Sequence, residues 1–458
     1  MNEKRINVLE KEPVTKAIFK MALPMMTGMI VQILYNLIDT FFVGQLNDPN
    51  QVAAVAISMP LFMLLMAISG IMGNGGASYL SRVLGAKDYS KANKTVSIAF
   101  FTCVIIGAAT SILGIIFISP IVKVLGATEL IFPYAHSYSL TILTASIIIM
   151  CNYALGQLLR AEGAAKEAMF GMLIGTVTNI ALDPLFIFTF KMGAAGAALA
   201  TVVANGIGLV YYLSIYLKKK SMVHIGFKYF SFDKKIYSEI LKIGIPASLN
   251  QLLLSMANVF TNNFAAMYGE ITVAAMGIAG RIITIPIYLI LGVAIGCQPL
   301  IGYSYGAHLY SRLKEILKKA MIISSIMSLA FMALFMIFPE KFITIFIKDA
   351  AVVQTGGTIL RAMSLSLLVL GVQIVIMNAI QAMGKAIPSL VISISRQGIM
   401  FIPLLFILNK LFTFNGFIYA QPIADLLTVI LAIGLMIKIM KNMKLKQNLE
   451  LETCKQEI

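Results

Sequence analysis

Apolar positions in this chain of 458 residues are neither alternating nor scattered. They gather into long runs separated by short polar segments. Twelve runs can be marked, at 17–43, 52–77, 95–118, 132–158, 168–190, 194–217, 240–266, 273–302, 317–338, 356–382, 388–409 and 415–440. A bilayer core about 30 Å thick is crossed by roughly 20 apolar residues in a helix, so each run predicts one span. A membrane barrel would instead show alternating segments of about ten residues. The expected fold class is an all-α polytopic membrane protein with 12 transmembrane helices in two pseudo-symmetric six-helix bundles.

The symmetry is read from a repeat. Phe19-Lys20-Met21-Ala22-Leu23-Pro24 resembles Leu241-Lys242-Ile243-Gly244-Ile245-Pro246, and Val52-Ala53-Ala54-Val55 resembles Val273-Ala274-Ala275-Met276. Gly85-Ala86-Lys87 resembles Gly306-Ala307-His308, and Ala161-Glu162-Gly163 resembles Ala382-Met383-Gly384. One offset, about 221 residues, relates every pair. Six spans per half give both halves the same sense in the membrane, a parallel repeat of the kind found in transporters that bind between their halves. The expected division is an N-lobe at 1–217, a basic linker at 218–238, a C-lobe at 239–440 and a tail at 441–458.

Composition agrees with the spans: 59% of residues are hydrophobic, 12% are charged, and the mean hydropathy is +0.88. The formal net charge of +16 could point to nucleic acid. Its distribution points elsewhere. Of the 36 Lys and Arg, all but Lys123, Lys191, Arg281, Lys341, Lys348, Arg361 and Lys410 fall on alternate loops and the two ends. By the positive-inside rule these loops and both termini are expected in the cytoplasm, with no nucleic-acid partner. The four cysteines and three histidines are scattered, so no disulfide framework, metal cluster or cofactor is expected. No P-loop is present, and an ion gradient is the expected energy source.

Ionisable groups inside a span are costly and are read first as functional. The first span carries Gln32, Tyr35, Asn36 and Asp39 at i, i+3, i+4 and i+7, hence on one face. The fifth carries Asn179 and Asp183, followed by Pro184; the sixth carries Thr201 and Asn205. Counting about 1.5 Å per residue, Asp39, Tyr138, Asp183 and Thr201 fall at similar depths in the outer leaflet. Two carboxylates that meet there would hold a proton or bind a hard cation through oxygen. The offset maps Asp39 onto Thr261 and Asp183 onto Leu404, so the ion chemistry is expected in the first half. In the second half, Asp425 and Arg281 are expected either to pair structurally or to serve substrate or ion. The 28 Met and 27 Phe suit a cavity that accepts varied apolar ligands.

Tyr35-Asn36-Leu37-Ile38-Asp39-Thr40, Asn179-Ile180-Ala181-Leu182-Asp183-Pro184, Gln298-Pro299 with Gly302-Tyr303-Ser304-Tyr305-Gly306-Ala307, and Ile423-Ala424-Asp425-Leu426 resemble the multidrug and toxic compound extrusion (MATE) transporters. The likeness covers nearly the whole chain and is nearest to bacterial members of the DinF and Gram-positive multidrug type. It implies a monomeric multi-pass antiporter of the bacterial cytoplasmic membrane, exporting amphipathic, cationic, drug-like compounds against H⁺ or Na⁺. The site it implies comprises Asp39, Asn179, Asp183 and Thr201, a possible Na⁺ cradle. Gln32, Tyr35 and Tyr138 lie beside it, and Pro24 matches the family's bending proline. Acids that some members carry in spans seven and ten are missing here. The alternative is a lipid-linked oligosaccharide flippase of the same broad superfamily, which calls for more cations in the cleft.

Overall fold

The computed structural model describes residues 5–456, apart from 47 and 219. Residues 1–4, one linker lysine (219) and the last two residues of the expected tail therefore lie outside the described residues. Among the described residues the regular structure is all helical.

The spans are α1 (Val14–Gly44), α2 (Pro49–Gly85), α3 (Tyr89–Ile116), α4 (Phe132–Thr144 and Ser146–Ala161), α5 (Ala165–Pro184) and α6 (Gly193–Leu217). In the second half follow α7 (Lys234–Met267), α8 (Glu270–Gly306), α9 (Tyr310–Ile337) and α10 (Ala350–Ser364 and Leu367–Ala382). The remaining apolar helix, Ala386–Met443, is 58 residues long. It contains a reversal at Thr413 (φ 50°, ψ −129°), and Arg396 there bonds Asp425 at 2.9 Å. A straight helix would hold those two residues about 43 Å apart. The chain thus doubles back, giving α11 at 386–412 and α12 at 414–443, and the expected total of twelve.

Two predicted single helices are bent. The halves of α4 meet at 54° and those of α10 at 47°. Breaking a span frees carbonyls that lipid cannot satisfy. Serines supply the bonds: Ser111 of α3 donates to the Leu143 carbonyl at 2.7 Å, and Ser328 of α9 to the Leu367 carbonyl at 2.6 Å. These bends were invisible to a hydropathy reading because Thr144–Ser146 and Ser364–Ser366 interrupt no apolar run.

The halves touch through matched close approaches. A Cβ on Gly85 would lie 2.1 Å from the Tyr303 carbonyl oxygen, and one on Gly306 1.9 Å from that of Arg82. Each residue is the other's counterpart at the 221 offset, the reciprocal contact of a two-fold interface. Likewise Gly244 of α7 lies against the Ile71 carbonyl of α2, and Gly292 and Gly296 of α8 lie against Met26 and Ala22 of α1. Ser248 donates to the Ala67 carbonyl at 2.6 Å, and Arg82 pairs with Glu239 at 3.0 Å. All of these lie in the lysine- and arginine-rich half of the bundle. Towards the other end, Gly44, Gly269, Gly277 and Gly280 have nothing within 4 Å of such a Cβ. The bundle is sealed at its basic end and parted at the opposite one.

The N-terminal segment reinforces the seal. Residues Asn7–Lys11 form a π-helical turn, and Leu9 is fully buried against Gly163. Arg312 of α9 donates to the carbonyls of Glu12 (2.7 Å), Leu9 (3.1 Å) and Val8 (3.2 Å), while the Tyr303 hydroxyl donates to Glu10 at 2.8 Å. On the first half, Arg5 bonds Glu167 at 2.7 Å and lies 3.6 Å from Glu162. One short segment thus grips both halves.

Candidate functional site

Two helix faces set the site. A Cβ on Gly28 of α1 would lie 3.3 Å from the Met172 sulfur of α5, so these positions face each other. Asp39 is eleven residues beyond Gly28, and Asp183 is eleven residues beyond Met172. Eleven residues are about three turns, so both carboxylates stand at one height on the facing sides of two helices. Gln32 and Tyr35 continue the same face of α1, and Asn179 continues that of α5. Asp39, Asp183, Tyr35 and Tyr138 are near neighbours in this pocket.

Close helix packing brings in the third element. Ala194, Ala197, Ala198 and Ala200 at the start of α6 are buried. Gln51 of α2 accepts from the Ala194 N–H at 2.9 Å and anchors that start. Small side chains let α6 lie close to the π turn Leu185–Thr189, which follows Pro184; a Cβ on Gly196 would be 2.8 Å from the Phe186 backbone. Thr201 thereby reaches Asn179. With its amide oriented to suit both neighbours, Asn179 donates to Asp183 Oδ2 at 3.0 Å and accepts from the Thr201 N–H at 3.2 Å. Asp183 is wholly buried, and Asn179, Thr201 and Tyr138 nearly so. Asp39 is half-buried.

The other sequence candidates separate. Asn205 accepts from Asn152 of α4 at 2.9 Å and donates to the Thr201 carbonyl at 2.8 Å, so it braces α6. Asn152 was missed, because a lone Asn in an apolar run offers no spacing to flag it. Asn36 is exposed and lies towards the α1 face that begins at Ala22 and Met26, as does Thr40. Arg281 is exposed too, eleven residues or three turns from Gly292 on the same face of α8. It stands across the parting from Asn36 and Thr40 at a similar height.

The expectation that Asp425 could pair with Arg281 is corrected. Asp425, fully buried, accepts from Arg396 Nε at 2.9 Å. Arg396 had been counted with the basic loops. Its side chain instead turns inward from the π turn Ser395–Phe401. A buried carboxylate needs a partner, and the reversal at Thr413 puts this one in reach. Pro24 lies inside α1, with its bulk buried.

An acid pair with a neutral amide and a hydroxyl can hold a proton, or offer oxygens to a small cation. Among the described residues no group of three or more His, Cys, Asp or Glu is gathered as a metal cluster.

The model of the MatE family matches twice, at residues 24–185 and 246–407. The chain is 31% identical over 432 residues to the multidrug export protein MepA of Staphylococcus aureus (strain NCTC 8325 / PS 47), covering 94% of this chain and 95% of that protein. It is 30% identical over 432 residues to MepA of Staphylococcus saprophyticus, with the same coverage. Among solved structures, the outward-facing conformation of a multidrug resistance MATE family transporter of the MOP superfamily superposes with a TM-score of 0.91, at 29% identity, over 96% of this chain and 99% of that one. MATE in the bent conformation superposes with a TM-score of 0.90, at 29% identity, over 97% and 99%. With both halves matched and the relatives covered almost end to end, this multi-pass membrane protein belongs to the MatE family.

Proposed function

We propose that the chain is an ion-coupled antiporter that exports amphipathic, cationic organic compounds across the cell membrane; the relatives' name, multidrug export protein, supports the export of drugs. It is a transporter and no enzyme. The observation that carries the reading is the Asn179–Asp183–Thr201 constellation, buried within one half, with Asp39 at the same height on the facing side of α1.

The basic end is taken as cytoplasmic and the parted end as external. H⁺ or Na⁺ enters from the outside at Asp39 and Asp183 and removes net charge from the pocket. A cationic substrate and the ion then compete for the same negative field, so each favours a different state of the halves. Only that differential affinity can drive exchange. Substrate leaves along the cleft between α1 and α8, past Asn36, Thr40 and the lone cation we place there, Arg281.

The test is accumulation of a cationic dye in everted vesicles, where export runs inward, under separate pH and Na⁺ gradients. Asp183→Asn, expressed at the parental level, is expected to abolish gradient-driven accumulation. Full accumulation in that variant overturns the reading. Movement of a lipid-linked diphosphate sugar without dye transport would favour the flippase alternative.

A further inference from the structure

On the outer face of the second half, α7 and the start of α11 line an open groove of about 560 Å³, within the roughly 300–1,000 Å³ of ligand-sized clefts. Its chemistry changes along its length. Lys234, Ser238 and Lys242 line the basic end, and Ile245, Pro246, Ile387 and Leu390 line the inner part. Lys234 to Ile245 spans eleven residues, about 16 Å, which is roughly one leaflet of a 30 Å core. Both lysines are exposed, as are Ile245 and Ile387, which is 76% exposed.

We infer that this groove binds an anionic phospholipid of the leaflet at the basic end, with one acyl chain along Ile245, Ile387 and Leu390 and the phosphate at Lys234 and Lys242. The argument is complementarity. A groove of this lining at membrane depth must be filled by apolar chains. Two lysines at its mouth favour an anionic headgroup and repel the cationic compounds assigned to the central cleft. Clustered basic side chains at a membrane surface attract such headgroups, and here both stand on α7, about two turns apart.

The groove also adjoins the seal. Glu239 shares its carboxylate between Lys242 (3.3 Å) and Arg82 of the first half (3.0 Å). A phosphate that takes Lys242 leaves Glu239 to Arg82 and tightens the contact between halves. This inference concerns binding on the outer face and stands or falls apart from the export reading; naming the leaflet cytoplasmic does rest on it.

The experiment uses the purified full chain, with native mass spectrometry and thermal unfolding in phosphatidylglycerol or phosphatidylcholine micelles. The parent is expected to retain phosphatidylglycerol at least fivefold over phosphatidylcholine and to unfold at higher temperature in it. In K234A/K242A both preferences are expected to vanish. Equal retention of the two lipids by the parent, or a preference that survives K234A/K242A, overturns the proposal. Should that double variant fail to fold, Ile387→Trp fills the apolar part and leaves the lysines intact. It must lose the retained lipid, and unchanged retention also overturns the proposal. Displacement of the lipid by a cationic export dye would mark the groove as a drug site and overturn it too.

Discussion

Removing the guanidinium of Arg312 should open the sealed end. This side chain donates to three carbonyls of the N-terminal segment at 2.7, 3.1 and 3.2 Å. A hydrogen bond to a charged group contributes about 1.5–3 kcal/mol net. Arg312 is half-buried, so solvent takes over part of that loss, and about 2–3 kcal/mol for the set is a fair magnitude. That free energy is released only when the segment also grips the first half through Arg5, Glu162 and Glu167. It therefore biases the sealed state against the open one, and its removal shifts the equilibrium by about 30- to 150-fold. Spin labels at Lys94 and Lys314, on opposite halves near the basic end, report the separation by pulsed electron resonance. Arg312→Ala is expected to move a large part of a short-distance population to longer distance, while Arg312→Lys restores some of it. If Arg312→Ala leaves the distribution unchanged in a folded protein, the segment is packing and no clasp.

Three further outcomes follow from the same geometry. Burial raises the Glu162 carboxyl to about 7, against bonds from Ser221, Tyr216 and the Met222 N–H and the nearby Arg5 that pull it down; exposed to water it would release its proton near 4.3. The closed state thus holds the proton across that window, so rising pH from about 5 to 8 favours dislodging, by at most about 3 kcal/mol, levelling off above; hydrogen exchange at residues 5–12 and 221–223, corrected for intrinsic rates, should show this slope, and Glu162→Gln should flatten it. Gly306→Leu should force the basic end apart in the same distance measurement, since its Cβ alone would meet the Arg82 carbonyl at 1.9 Å, whereas Gly277→Ala, with open space around it, should not; equal behaviour of the two would refute the contact. Arg281→Ala should lower the KM for a cationic dye about threefold to fivefold, the size of one charge at about 10 Å in a half-aqueous cleft, and a raised KM would contradict its place on the wall.

What could be read beforehand was what depends on runs and periods. The twelve spans, the doubled architecture and the Asn179–Asp183 face all follow from positions along single helices, where spacing dictates neighbours. What could not be read was which helices meet. Pairing with Arg281 was one of two expectations for Asp425, but its partner Arg396 is set by the hairpin at Thr413, a turn with no Gly at the positive-φ position to announce it. The N-terminal residues looked like basic flank, since nothing local distinguishes a solvated Arg5 from one that bonds Glu162 and Glu167. Arg312 likewise gave no sign that its targets were backbone carbonyls some 300 residues away.

The two halves are alike in one respect and unlike in another, and the difference has a mechanical consequence. Gly85 and Gly306 are counterparts and touch each other's halves in the same way; the serine crutches at the bends of α4 and α10 come from matching helices. Such contacts concern the backbone, and a two-fold interface needs them twice. The ionisable groups are not duplicated. Asp39 and Asp183 have Thr261 and Leu404 at the matching positions, and the second half neutralises its buried Asp425 internally with Arg396. On the proposed coupling, a charge change at Asp39 and Asp183 alters the internal packing of one half, while the Gly85 and Gly306 contacts it must part are made by both halves. The lever is α1 itself: its Gly28–Asp39 face belongs to the carboxylate pocket, and its Ala22–Met26 face rests on Gly292 and Gly296 of the opposite half. A shift of the first face must be felt at the second, because both are carried by one helix.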